Sequence, residues 1–182
     1  MNREHRKKHI AVPAAAFSYP GRISSLLTGS CPVFFPADGV IREDLVHLYF
    51  ITDGYEPLKE KTFLSARQCL LLMKEIVMGC RTAADWLWNG EELVLSLQTV
   101  WINERGNIRF LCIPEGRREP EHRRLFRLTE ELKTLTDQTG KEFLGELQHT
   151  CFLKPQPYRT IISQTEQLIR QLEEYSPFLF IK

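Results

Sequence analysis

Ser65-Ala-Arg-Gln-Cys-Leu-Leu-Leu-Met-Lys-Glu-Ile-Val-Met-Gly-Cys-Arg-Thr-Ala-Ala-Asp-Trp-Leu-Trp88, followed after a short connection by Thr99-Val-Trp-Ile-Asn-Glu-Arg-Gly-Asn-Ile-Arg-Phe-Leu-Cys112, decides the fold. In the first run Leu72, Ile76, Cys80, Ala83 and Leu87 recur at spacings of three and four, and Leu71, Met73, Val77 and Trp86 widen the stripe. That periodicity predicts a long helix with one face on a core. Ser65-Ala-Arg-Gln68 has the spacing of a capping box at its start, and Asn89-Gly90 reads as its stop. The second run reads as a β-hairpin, Thr99–Asn103 and Asn107–Cys112, turned by Glu104-Arg-Gly106.

Upstream, the segment 1–20 reads as a basic, flexible start with Arg3, Arg6, Lys7 and Lys8, and the remainder, 21–182, as a single domain. Arg3 to Lys8 and the apolar stretch after them imitate a signal peptide, but Pro13 breaks the stretch and Glu4 sits in the basic part, so cleavage is not expected. Pro32 and Pro36 keep Cys31–Pro36 out of an inner strand. Leu45–Thr52 reads as a strand buried on both faces, ended by Asp53-Gly54, with Tyr55–Leu58 a loop or short helix.

Downstream, a helix over about 121–137 buries Leu125, Leu128, Leu132 and Leu135. Thr139-Gly-Lys-Glu142 offers a second capping box for a short helix, and a last helix covers about 158–174. Residues 178–181 are apolar and read as packed back on the body or as a partner contact. The order of a few strands, a long helix, a hairpin and then helices is an α+β pattern.

Composition excludes more than it selects. Net charge is +1, so no global field draws the chain to nucleic acid or membranes. No apolar run reaches the roughly 18 residues that span a bilayer. The five cysteines, Cys31, Cys69, Cys80, Cys112 and Cys151, are odd in number and lack a C-x-x-C pair, which points to a reducing, cytoplasmic setting. No Walker, G-x-G-x-x-G or G-x-S-x-G motif occurs. His149 and Cys151 have no further ligand at metal spacing and read as structural, and Glu91-Glu92 as a solvated helix end. Trp86, Trp88 and Trp101 read as core or near-core, with Trp88 at the edge of the helix stripe as a contact surface. Arg117, Arg118, Arg123, Arg124 and Arg127 lie within eleven positions. Arg123 and Arg127 share a helix face bordered by Arg124, a candidate surface for an acidic partner or anion.

The succession of strand, linker, long helix, connection, hairpin and helices over residues 45–150 resembles the large lobe of protein kinases. Leu48-Tyr-Phe-Ile51 looks like the strand that enters the kinase hinge, and Asp85–Gly116 lies on the stretch from catalytic loop to Asp-Phe-Gly without a gap. The kinase His-Arg-Asp falls on Val94-Leu95-Ser96, the metal-binding asparagine on Trp101 and the Asp-Phe-Gly aspartate on Pro114. Serine does not act as the proton acceptor at neutral pH, and proline offers a cation no side-chain oxygen. The resemblance therefore implies a degenerate, pseudokinase-like domain with no catalytic residues, metal or cofactor.

Ile23–Gly29, Leu48–Ile51, the long helix and Val100-Trp-Ile-Asn…Gly-Asn-Ile-Arg-Phe resemble a Firmicutes domain that often precedes a forkhead-associated domain. A more distant likeness is to the kinase-like pseudoenzyme of type VII secretion. These resemblances imply a non-catalytic interaction or scaffold domain of a bacterial cytoplasmic or membrane-apposed assembly, whose partner is another protein. The alternative they leave open is a regulatory domain that holds a nucleotide or small acidic ligand in a remnant cleft between residues 45–58 and 93–114.

Overall fold

The structure, a computed structural model, describes residues 7–14, 26–86, 88, 93–113 and 119–175. The class is α+β: the described residues form two antiparallel three-stranded sheets and four α-helices. Strands are β1 (Lys7–Pro13), β2 (Ala37–Arg42), β3 (Leu45–Ile51), β4 (Tyr55–Pro57), β5 (Val100–Asn103) and β6 (Ile108–Phe110). Helices are α1 (Ala66–Asp85), α2 (Glu121–Lys133), α3 (Gln138–Leu147) and α4 (Tyr158–Tyr175).

The expected long helix forms with the expected start. Ser65 Oγ accepts from the Gln68 amide at 3.3 Å, and Gln68 Oε1 accepts from the Ser65 amide at 2.8 Å. Two of the amide groups that a helix start leaves unpaired are thereby satisfied. Cys69, Leu72, Met73, Ile76, Val77 and Cys80 line the buried face of α1. The helix packs on α4, α3 and β6.

The expected hairpin forms as well. Asn103 Oδ1 accepts from the amides of Arg105 and Asn107, at 3.0 and 2.9 Å, and Gly106 takes φ +82°, a conformation costly for any residue with a Cβ. Strand β5 then pairs with β4 on its other side, in register Pro57↔Trp101, so the order is β4-β5-β6. Beside β6, Phe34 forms a parallel bridge to Phe110, as two flanking prolines allow.

The other sheet has the order β1-β3-β2, with Val12↔Val46, Ile10↔Leu48 and Lys8↔Phe50 in one ladder and Ile41↔Val46 and Ala37↔Phe50 in the other. Several sequence expectations change here. The basic start, expected to be flexible, contains β1. Its edge groups are satisfied by β3, whose sequence lies more than thirty positions on. Strand β3 buries one face only: Val46, Leu48 and Phe50 are buried, whereas Leu45 is exposed and His47, Tyr49 and Ile51 are half-buried, the alternation of a strand with one face on the core. Tyr55–Pro57 is a strand rather than a loop or helix, and a 3-10 turn, Leu58–Glu60, follows it.

The helix expected to run to 137 stops at Lys133, and α3 is capped by Asp137, whose Oδ1 accepts from the Gly140 amide at 2.8 Å. Thr139 lies inside α3 and caps nothing. The two tryptophans exchange roles: Trp88 is buried edge-on to Phe34, and Trp86 is the exposed one. Ile23, Leu87, Asn89-Gly90, Glu91-Glu92, Pro114, Gly116, Arg117, Arg118 and residues 176–182 lie outside the described residues. All five cysteines are buried free thiols. Burial pushes the Cys80 thiol well up, and the nearby Glu121 carboxylate adds to it.

Candidate functional site: the cleft between the sheets

The inner face of β1 and the segment between α1 and β5 enclose a cleft of about 330 Å³. Lys8 and Ile10 come from β1, Pro57 from the end of β4, Lys59 and Glu60 from the 3-10 turn after it, and Val94, Ser96, Gln98 and Thr99 from the segment before β5. Trp101, Leu111 and Ile113 complete the wall. Of the two stretches expected to border a cleft, 93–114 supplies much of this wall and 45–58 supplies Pro57 alone.

Internal bonds hold the segment 94–99 in shape. Thr99 Oγ1 donates to the Val94 carbonyl at 2.6 Å and accepts from the Ser96 amide at 3.0 Å. Ser96 Oγ accepts from the Gln98 amide at 3.3 Å and lies 3.2 Å from Thr99 Oγ1. The Leu97 amide donates to the Glu131 carboxylate of α2 at 2.8 Å, and the Leu97 carbonyl accepts from the Lys59 amide at 2.9 Å. Hydroxyls bonded in this way are turn-forming groups. Trp101 is buried, its indole N–H donates to the Gln98 carbonyl at 3.0 Å, and its ring stands edge-on to Phe35 at 5.6 Å. Arg109 lies over the rings of Phe35 and Tyr55, 5.8 and 5.4 Å from the centroids, and fixes this aromatic wall from outside. What the cleft presents is two ammonium groups, Lys8 and Lys59, one carboxylate, Glu60, and an apolar back.

The arginine surface expected from the sequence divides. Arg123 is exposed on α2, and Arg127 is exposed but pairs with Glu119 at 3.1 Å. Arg124 is fully buried: its Nε donates to the Glu119 carbonyl at 3.0 Å and Nη1 donates to the Leu93 carbonyl. It ties the start of α2 to the segment leading into β5 and takes no part in a surface. The signal for this was present, since Arg124 and Leu128 lie four apart and share the buried face. His149 is exposed and Cys151 buried.

A junction that sequence reasoning missed lies where α1, α2 and α4 meet. Tyr158 Oη donates to the Glu121 carboxylate, with distances of 2.8 and 2.9 Å to its two oxygens. Burial raises the Glu121 carboxyl, against the lowering effects of Tyr158, Cys80 and Arg124. Burial and the facing carboxylate raise the Tyr158 hydroxyl, so it remains a donor.

No helix among the described residues is long and apolar enough to cross a membrane. No family model matches the sequence, and no curated protein matches it. Among solved structures, the chain is similar to the cytoplasmic fragment of EssB from Staphylococcus aureus, with TM-score 0.51 and 14% identity over 91% of this chain and 98% of that one. It is also similar to the cytoplasmic fragment of EssB from Geobacillus thermodenitrificans, with TM-score 0.57 and 12% identity over 96% of this chain and 89% of that one. At these identities the likeness is one of fold.

Proposed function

We propose that this chain is a non-catalytic interaction or scaffold domain, pseudokinase-like in descent, in a bacterial cytoplasmic or membrane-apposed assembly of the secretion-system kind. The observation that carries the proposal is the segment 94–99. At the positions on which the sequence resemblance lays the kinase proton acceptor and metal ligand, this chain has Ser96, bonded into a turn with Thr99, and Trp101, packed on Phe35. These side chains hold the backbone together, and neither is a carboxylate that could accept a proton from a substrate hydroxyl. The fold likeness to two cytoplasmic EssB fragments supports the cytoplasmic and assembly parts of the reading.

The test is calorimetric titration with ATP, with and without magnesium, paired with thermal melts. The expected outcome is no heat and no change in melting temperature. Saturable binding in the micromolar range, about −8 kcal/mol, would overturn the empty-cleft reading, and phosphotransfer lost in Ser96→Ala would overturn the non-catalytic one. One feature favours a second reading, a nucleotide or small acidic ligand held as a regulator: Lys8 and Lys59 face the same cleft. Binding without turnover, lost in a Lys8→Glu, Lys59→Glu double variant, would select it.

A further inference from the structure

A second groove lies away from this cleft, between the start of α1 and the tip of the β5–β6 hairpin. Its volume is about 300 Å³. The floor is apolar: Leu64 and Leu72 are buried, and Leu71 and Ile102 half-buried. Phe63 stands at its mouth with 58% of its surface exposed. The backbone beneath that ring is well anchored. The Leu64 amide donates to the Leu135 carbonyl at 2.7 Å, and the capping box closes at Ser65. The ring thus stands on anchored backbone, and binding to it orders little further chain.

The rim is acidic. Glu75 of α1 and Glu104 of the hairpin turn border the groove, and neither has an ion-pair partner among the described residues. Around the hairpin, a shallower depression shares Ile102 and Glu104 and adds Asp53 and Glu56. Leaving Asp53 aside, the two depressions hold the carboxylates of Glu56, Glu75 and Glu104 against one lining cation, Lys61, which Glu56 already engages. Such a surface repels phosphate groups and anionic lipid and attracts cations. A volume at the lower limit for ligand cavities, open along its length, suits one or two anchor side chains of a peptide rather than an enclosed metabolite.

We propose that this groove docks a peptide segment of a partner protein in which one or two large apolar side chains are flanked by lysines or arginines. The inference rests on the interaction-domain reading and supplies its surface and the chemistry of its partner. The apolar anchors fill the space between Phe63, Leu72 and Ile102. The flanking cations meet Glu75 and Glu104.

The test uses two synthetic probes, Lys-Lys-Leu-Phe-Lys-Lys and Glu-Glu-Leu-Phe-Glu-Glu, titrated into the isotope-labelled full chain and followed by amide chemical shifts. The expected result is saturable shifts at Phe63, Leu71, Ile102 and Glu104 with the basic probe and none with the acidic one. Phe63→Ala should weaken the basic probe at least tenfold. A Glu75→Lys, Glu104→Lys double variant should lose the basic probe and gain the acidic one, a gain that misfolding does not produce. Equal binding of both probes overturns the proposal. So do groove signals that move on dilution, which would place a second copy there, or on removal of residues 176–182, which would place the chain's own end there. Saturable shifts confined to another face overturn the groove and leave the interaction reading intact, whereas phosphotransfer lost in Ser96→Ala overturns that reading and leaves the groove.

Discussion

The two sheets have the same number of strands and opposite kinds of support. In β4-β5-β6, α1 is pressed against β6 at Gly79. A Cβ at that position would stand 2.9 Å from two atoms of the Phe110 ring and 3.1 Å from Ile108 Cδ1. In β1-β3-β2 only one face meets the core, through Val12, Val46, Leu48 and Phe50. The other face is held by cross-strand pairs. His9 and His47 are parallel within 1°, with ring nitrogens 3.1 Å apart and centroids 5.3 Å apart, which sets them edge to edge in one hydrogen bond. Tyr49 stacks on His9 at 4.7 Å, and Lys7 pairs with Asp38 at 3.1 Å. Near the β2–β3 turn Val40, Ile41 and Leu45 stay exposed. One sheet is specified by volume and the other by alternation and by pairs worth about 0.2–1 kcal/mol each. The first therefore shares the global stability, and β1, an edge strand, is the element able to separate below it.

The largest effect expected from this contrast is that of Phe110→Ala. It empties the contact between β6 and α1 and should cost about 3–5 kcal/mol, read as a lower urea midpoint with an unchanged slope. A cost below 1 kcal/mol would mean that α1 does not depend on the hairpin. Gly79→Ala comes next. In an exposed helix this change stabilises by about 1 kcal/mol. Here the added methyl meets the Phe110 ring, and overpacking of about 1–3 kcal/mol should make the melting temperature fall. A rise would show that the ring gives way and that the contact is looser than its geometry.

The difference between the sheets also explains which parts of the fold could be read from the sequence. The Ser65–Gln68 box and the Asn103–Asn107 turn were legible because their partners lie three or four positions apart. Strand β1 was not, because a run beginning Lys7-Lys8-His9 becomes a strand only when β3 supplies the other half of each bond. The outward face of β3 was misread because Leu45, Tyr49 and Ile51 are apolar enough to imitate burial, and only tertiary packing sets which side meets the core. The place of Arg124 was obscured by its arginine neighbours, since its acceptor at Leu93 lies 31 positions away. The part that Lys8 and Ile10 of β1 play in the cleft wall had no local signal, because β1 itself had none. The acidic groove had no sequence signal, since Phe63 and Glu104 meet only after α1 and the hairpin pack.

A smaller effect is expected in the pair-supported sheet. His9→Ala removes the bond to His47 and the stack on Tyr49, at about 0.2–1 kcal/mol. The global melting temperature should scarcely move, while hydrogen exchange speeds up at the β1 amides alone. Equal acceleration in β5 and β6 would show that the two sheets open together and that the contrast is false.

The last test concerns a charge inside the volume-specified half. Glu121 sits where α1, α2 and α4 meet, and burial raises its carboxyl above the ordinary value of 4.5. A carboxyl raised on folding stabilises the fold fully in acid, and that contribution is lost as pH rises through the folded value. Near pH 7 the ionised group therefore stands at a net cost, even with Tyr158 donating to it. Glutamine keeps an oxygen for Tyr158 and removes the charge. Glu121→Gln should melt slightly higher than the natural chain at neutral pH, and the gap should close as pH falls toward 4.5. The effect is small because the neutral acceptor also weakens the Tyr158 bond. A variant that melts lower at neutral pH would show that this bond outweighs the burial. The meeting point of the three helices would then be held by a charged pair, and volume alone would no longer describe the packed half of the molecule.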